Sequence, residues 1–435
     1  MPVLFFVVFH YLCNMNRRKI ILTICALAVA AGAGAQVKVA KPEDHGMDPE
    51  RLARVDAVID DAIRAGDIPG AVLSVVRRND IVYLKAYGNK SVIPETVPMT
   101  VETMFDLASL SKCVGTTLSM MQLIEGGYVR LTDPVKRYIP GFKPWVDPET
   151  GEEVDIILRD LLTHSSGLSD YYNADRFVER FGTNRPDSLM RVISTEVERH
   201  FRPGTDFLYS CLNFITLQHI LENVTGEFLC DYAESHVFAP MGLKHTCYFP
   251  LKEDLRTPAR HTELLPLVAP TEVQSDGSVL LGAVHDPLAR LANAGNSGNA
   301  GVFSDAVDLS RICMMVMNQG SAYRDKKLGF NEPDTRILSR SAVRLMTTIP
   351  PQNAPSVGRA LGWDMKSDHS GLRGDLFNPE TTLMHTGYTG TSLVINLDTH
   401  TAIVLLTNRV HPHADGSLSR LRALVSNIVA GAIKY

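Results

Sequence analysis

The sequence predicts a mixed α/β (α+β) fold, with one antiparallel sheet flanked by terminal helices and a mainly helical lobe beside it. Three observations lead there. Strand-like hairpins lie near both ends of the chain, at 71–87 and 392–408. An amphipathic helix stands outside each hairpin, and the block between about 130 and 260 reads as helical. Strands from the two ends then pair into one sheet under the terminal helices, leaving a cleft between sheet and lobe as the natural binding place.

Each element follows from pattern. In 51–65, Leu52, Val55, Val58, Ile59 and Ala62 share one helical face, and Gly66 with Pro69-Gly70 ends the run. The runs 71–76 and 81–87 alternate as strands around Arg77-Arg78-Asn79-Asp80, a hairpin turn. A second helix is expected over 109–125, stopped by Gly126-Gly127. Residues 261–303 are rich in Gly and Pro with little period, and irregular stretches of that length are more often functional than accidental. A helix is expected over 339–347. The runs 392–397 and 401–408 form the second hairpin through Asp398. The last helix puts Leu418, Leu421, Leu424, Val425, Ile428 and Val429 on one face.

The 435 residues are 45% hydrophobic and 21% charged, ordinary for a globular protein with a large core. Residues 1–35 read as a secretory signal. Arg17, Arg18 and Lys19 precede an apolar run at 20–31, and Gly32-Ala33-Gly34-Ala35-Gln36 supplies an Ala-x-Ala end with cleavage expected after Ala35. Met15 is the expected true start, because the apolar segment before it adds nothing a leader needs. A retained anchor, or lipid on Cys25, are the alternatives. Residues 36–48 form a tether, and 49–435 one catalytic domain. Removing three cations from a net charge of −5 leaves the exported chain near −8. That acidity argues against a nucleic-acid partner, and no later segment is long and apolar enough to span a membrane. Cys113, Cys211, Cys230, Cys247 and Cys313 are an odd, loosely spaced set, not a disulfide scaffold. A Cys230–Cys247 bridge is possible but unsupported.

The chemistry starts at Ser109-Leu110-Ser111-Lys112, which sets a serine and a lysine one helical turn apart on one face. A serine hydroxyl needs an adjacent base, and a lysine amine serves if burial lowers its pKa. A helix N-terminus favours negative charge developing at the serine. Ser-x-x-Lys is common by chance, so the company it keeps matters. Tyr209-Ser210-Cys211 offers a phenol to relay the serine proton. His385-Thr386-Gly387 starts a Gly-rich turn feeding a strand, and Gly387 allows close approach of a substrate. Backbone N–H groups of Ser109 and Tyr388 are then the candidate oxyanion hole. His164 reads as a loop pin, His285-Asp286 as either cleft lining or a loop pin, and His411-Pro412-His413 as a surface turn.

Together these phrases resemble the class C β-lactamase-related, penicillin-recognising serine hydrolases over roughly 45–432. The resemblance extends through Ile68-Pro69-Gly70-Ala71, Phe105-Asp106-Leu107-Ala108-Ser109, Leu161-Leu162-Thr163-His164-Ser165-Ser166-Gly167-Leu168, Val284-His285-Asp286-Pro287, Gly298-Asn299-Ala300-Gly301-Val302-Phe303-Ser304, Leu361-Gly362-Trp363 and His385-Thr386-Gly387-Tyr388-Thr389-Gly390. It implies a helical lobe beside an α/β lobe, an acyl-enzyme on Ser109, proton work shared by Lys112 and Tyr209, and no metal or cofactor. Two departures matter. Cys211 stands where the family's β-lactamases carry the Asn of Tyr-x-Asn, and a thiol is a weak donor and acceptor. His385 stands where they carry the Lys of Lys-Thr-Gly, and a histidine is largely neutral at pH 7. Both weaken β-lactam recognition and point toward the esterase, peptidase and acyltransferase branches.

The expected function is therefore an exported, periplasmic or secreted acyl hydrolase acting on a small-molecule ester or amide. Acyl transfer to a hydroxyl or amine acceptor is the second enzyme reading, and a weakly catalytic penicillin-binding sensor the third. No Gly-x-Ser-x-Gly occurs, which argues against an α/β-hydrolase.

Overall fold

A computed structural model describes residues 38–249, 262–322, 335–368, 370–414 and 416–434. The expected leader, its cleavage point and the first two residues of the tether lie outside them.

The central sheet has six strands: β1 (Gly70–Arg77), β2 (Asp80–Ser91), β3 (Val97–Pro98), β4 (Thr382–Thr386), β5 (Ser392–Asn396) and β6 (Thr401–Thr407). Their order is β4-β5-β6-β1-β2-β3, antiparallel throughout. The two ends of the chain meet at β1 and β6, in register from Ala71 opposite Thr407 to Arg77 opposite Thr401. Both hairpins expected from the sequence are present. Arg78 and Asn79, the two turn residues of the first, have φ of 49° and 70°, the handedness a tight two-residue hairpin needs. The edge strand β4 was not anticipated. His385-Thr386 closes this strand, and the Gly-rich turn after it feeds β5 as expected.

Every residue of β1 is buried, because both sheet faces are covered. Ala71, Leu73 and Val75 face the terminal helices α1 (Val55–Ala65) and α2 (Ser419–Gly431). Val72 and Val76 face the large core shared with the helical block. That opposite face receives the helix Ala306–Met317, in which only Arg311 is not buried. A helix apolar nearly all round carries no amphipathic signal, so pattern reading passed over it. Ser310 on that helix meets Ser74 of β1, Oγ to Oγ at 2.8 Å.

The expected second helix is composite. A 3₁₀ turn at Ala108–Leu110 leads into a π-helical stretch, Lys112–Thr117, and then an α-helix, Leu118–Glu125. π-Helical turns widen the backbone and recur at functional sites. Residues 262–303 are largely irregular, with a short helix at Pro287–Leu291. Cys230 and Cys247 are not bridged to each other. His411 is not on a surface turn. It is buried, its Nε2 accepts from the Val92 N–H at 3.0 Å, and its Nδ1 lies 2.8 Å from Thr271 O.

Candidate active site

Ser109 lies on the 3₁₀ turn and is partly exposed. The residue before it, Ala108, has φ of 46°, a left-handed conformation that side-chain-bearing residues rarely adopt. Lys112, one turn on, has no exposed surface. Its Nζ donates to Ser109 Oγ at 3.0 Å and to the Asn299 carbonyl at 3.0 Å, and lies 3.6 Å from Cys211 Sγ. The same Nζ sits 5.0 Å from the centroid of the Tyr209 ring. The structure thus brings Ser109, Lys112, Tyr209 and Cys211 together, with Cys211 as the first residue of the helix Cys211–Thr225.

Burial pulls the Lys112 ammonium down, but negative charge on Cys211, Tyr209 and Asp286 pushes it up, and the upward push prevails. The expectation of a lysine amine depressed by burial is therefore overturned. Burial drives the Tyr209 phenol and the Cys211 thiol upward, against the Lys112 charge that lowers both. Burial thus disfavours charge on every member of the cluster, and the rise of Lys112 is tied to negative charge on its neighbours.

Ring packing holds the Tyr209 side. The His164 ring stacks on Tyr209 at 4.3 Å between centroids, and His385 lies at 6.0 Å. His164 Nδ1 accepts from the Ser210 N–H at 3.0 Å, which leaves its ring proton on Nε2. The His385 ring donates from Nδ1 to the Thr386 carbonyl at 2.9 Å. Burial, then the charges of Arg359 and Lys112, keep both imidazoles well below the usual histidine range. His385 is therefore neutral and 4% exposed, no replacement for a lysine cation at this strand. Arg359, 2% exposed, lies over the rings of Phe207 and Tyr209 and pairs with Asp364 at 3.5 Å.

Gly387 lets neighbouring backbone approach closely. A Cβ there would stand 2.2 Å from Thr391 Oγ1 and 2.3 Å from the Leu107 carbonyl. The missing side chain admits the backbone that leads into Ser109, so that the strand end docks beside the serine turn. Thr389 and Thr391 fasten the same approach, donating to the carbonyls of Asp106 at 2.7 Å and Leu107 at 3.0 Å. The N–H groups of Ser109 and Tyr388 have no protein acceptor among the described residues. The Tyr388 side chain is 58% exposed, with the Arg409 guanidinium 4.8 Å from its ring centroid and His285 stacked on it at 5.6 Å.

Three contributors were missed by sequence reasoning. Asn299 was visible only as part of a Gly-Asn-Ala-Gly phrase, yet its carbonyl holds Lys112 and its side chain interacts with Cys211 and Asp286. Asp106 was visible only as a neighbour of the serine. Arg359 had no signal, since nothing in the chain marks a buried arginine 26 positions before His385.

This fold and serine–lysine–tyrosine cluster define a serine hydrolase of the type that shares its architecture with β-lactamases and penicillin-binding proteins. The beta-lactamase family model matches residues 55–427, and the chain belongs to that family. A Salmonella typhi protein named "Putative D-alanyl-D-alanine carboxypeptidase" is 31% identical over 416 residues, covering 90% of each chain. Among solved structures, EstCE1, described as a hydrolase with promiscuous acyltransferase activity, is 24% identical with a TM-score of 0.66, covering 88% of this chain and 99% of its own. Simvastatin synthase from Aspergillus terreus is 18% identical with a TM-score of 0.63, covering 88% and 98%. An octameric penicillin-binding protein homologue from Pyrococcus abyssi is 20% identical with a TM-score of 0.61, covering 86% and 76%. At those identities the structural likenesses speak for the fold.

Proposed function

We propose that this chain is an acyl hydrolase in which Ser109 becomes transiently acylated. The observation that carries the reading is the 3.0 Å contact between Ser109 Oγ and the fully buried Lys112 Nζ, with the Tyr209 phenol at the same point. Ser109 attacks the substrate carbonyl, and the Lys112–Tyr209 pair takes its proton and returns it to the leaving group. The N–H groups of Ser109 and Tyr388 stabilise the oxyanion. Water then releases the acid and restores the serine. The leader expected at 1–35 supports export to the compartment where cell-envelope peptides occur.

The first substrate class is a peptide ending in D-alanyl-D-alanine, on the strength of the carboxypeptidase-named relatives that match nine-tenths of the chain. A second reading, ester hydrolysis with acyl transfer to a hydroxyl acceptor, is favoured by a specific observation. The neutral His385 and the Cys211 thiol give little to hold a substrate carboxylate or side-chain amide. The test compares kcat/KM for a D-alanyl-D-alanine peptide, p-nitrophenyl esters and a chromogenic cephalosporin, each with and without an alcohol. Release of D-alanine supports the first reading. Ester product in preference to free acid supports the second. Cephalosporin turnover far above the others contradicts both.

A further inference from the structure

Three segments converge on Asp106, a buried acid that is 1% exposed. One of its oxygens accepts from the Ala108 N–H at 2.8 Å, and the other from the His285 N–H at 2.6 Å. Its backbone carbonyl accepts from Thr389 Oγ1 at 2.7 Å. Asp106 also pairs with Phe303 on the short strand Val302–Ser304, just after Asn299. A single residue thus touches the turn before Ser109, the loop carrying His285-Asp286, and the turn carrying Tyr388. An acid at this place has no role in the acyl-enzyme chemistry itself, on which the following rests.

We infer that Asp106 is a positioning residue for acylation: its ionised carboxylate holds Ala108 in the left-handed conformation and so sets Ser109 and the Tyr388 turn in working register. A carboxylate is acceptor-only and serves both N–H groups. Once protonated, one oxygen carries a hydrogen that faces an N–H donor, and one of the two bonds is lost. Burial pushes the Asp106 carboxyl up to about 6, while the bonds from His285 and Ala108 pull it down. The charged groups facing it are Asp286, which raises it, and Arg290, which lowers it. His285, held at about 4 by burial and by Arg290 and Arg409, stays neutral across this range. Above about pH 6 the carboxylate pins both segments. As pH falls through 6 the pin loosens, and the rate at which Ser109 is acylated falls with it.

The experiment measures the acylation rate of the full chain with a fluorophosphonate probe between pH 5 and 8, for wild type, Asp106→Asn, Thr389→Val and Ser109→Ala. Wild type is expected to slow about tenfold between pH 7 and 5, the loss that one pH unit below a pKa of 6 produces. Asp106→Asn should reach the same labelling stoichiometry at pH 7.5 at least about tenfold more slowly, with a rate flat between pH 5 and 7, because the amide presents one oxygen and does not titrate. Its kcat for an ester should fall while KM holds. Thr389→Val keeps the carboxylate and should keep the acid limb. An Asp106→Asn rate equal to wild type at pH 7.5, or an unchanged acid limb in that variant, overturns the inference. So does a wild type with no limb near pH 6, which decides the matter even if Asp106→Asn fails to fold. Labelling that survives Ser109→Ala marks a different failure, that of the acyl-enzyme reading.

Discussion

The two walls of the site are held by opposite means. On the Ser109 wall, hydrogen bonds do the holding: Asp106 to Ala108 and His285, Lys112 to Ser109 and Asn299. On the Tyr209 wall, rings and one fixed cation do it. His164 and Tyr209 stack, Arg359 lies over Tyr209, and buried His164 Nε2, His385 Nε2 and Arg359 Nε and Nη2 have no hydrogen-bond partner among the described residues. The difference assigns the work. The first wall fixes the position of the nucleophile, and the second sets the charge around it. Burial, with an arginine that never deprotonates beside it, keeps His385 neutral, so the strand end offers a substrate N–H groups rather than a cation.

The comparison is broken hardest at its hinge, Lys112. Lys112→Arg keeps a cation against Tyr209 but cannot yield a proton near neutral pH, so kcat should drop by about 10²- to 10⁴-fold. Near-normal turnover would put the proton transfer on Tyr209 alone.

Gly387→Ala strikes the place where the two walls dock. The added Cβ meets the Leu107 carbonyl, which cannot swing aside as a side chain would. Overpacking of that kind costs about 1–3 kcal/mol, and the displaced Tyr388 turn should lower kcat further. Chemical denaturation and ester turnover together read both effects. Unchanged stability would show that the strand end is not seated on the serine turn.

The smallest effect sharpens the second wall. The ring resonances of His164 and His385 should not titrate between pH 5 and 8 in NMR spectra of the folded protein, since burial and the Arg359 charge hold both neutral. A His385 that protonates near pH 6.5 would restore a cation to the strand, and with it a reason to expect carboxylate recognition.

The first wall was the more legible in sequence. Ser109 and Lys112 lie one turn apart, and local periodicity alone puts them on one face. The two hairpins and the terminal helices were legible for the same reason, being written in short-range pattern. The helix Ala306–Met317 was not, because burial on nearly every side erases its period. Asn299 and Arg359 were not, because contacts across 187 positions, as between Lys112 and Asn299, leave no local trace. Protonation was the least legible of all. Burial alone forecasts a depressed Lys112, and the charges that push the other way come from Tyr209 and Cys211 on one segment and Asp286 on another.

The central claim is the covalent one, and peptide mapping by mass spectrometry tests it most directly. The full chain is quenched during turnover of p-nitrophenyl acetate and, separately, of a D-alanyl-D-alanine peptide, then digested beside Ser109→Ala treated alike. The account predicts an acyl adduct on the peptide containing Ser109, absent from the variant, whose turnover falls at least about 10³-fold. Acyl found on Cys211, or undiminished turnover by Ser109→Ala, would contradict it.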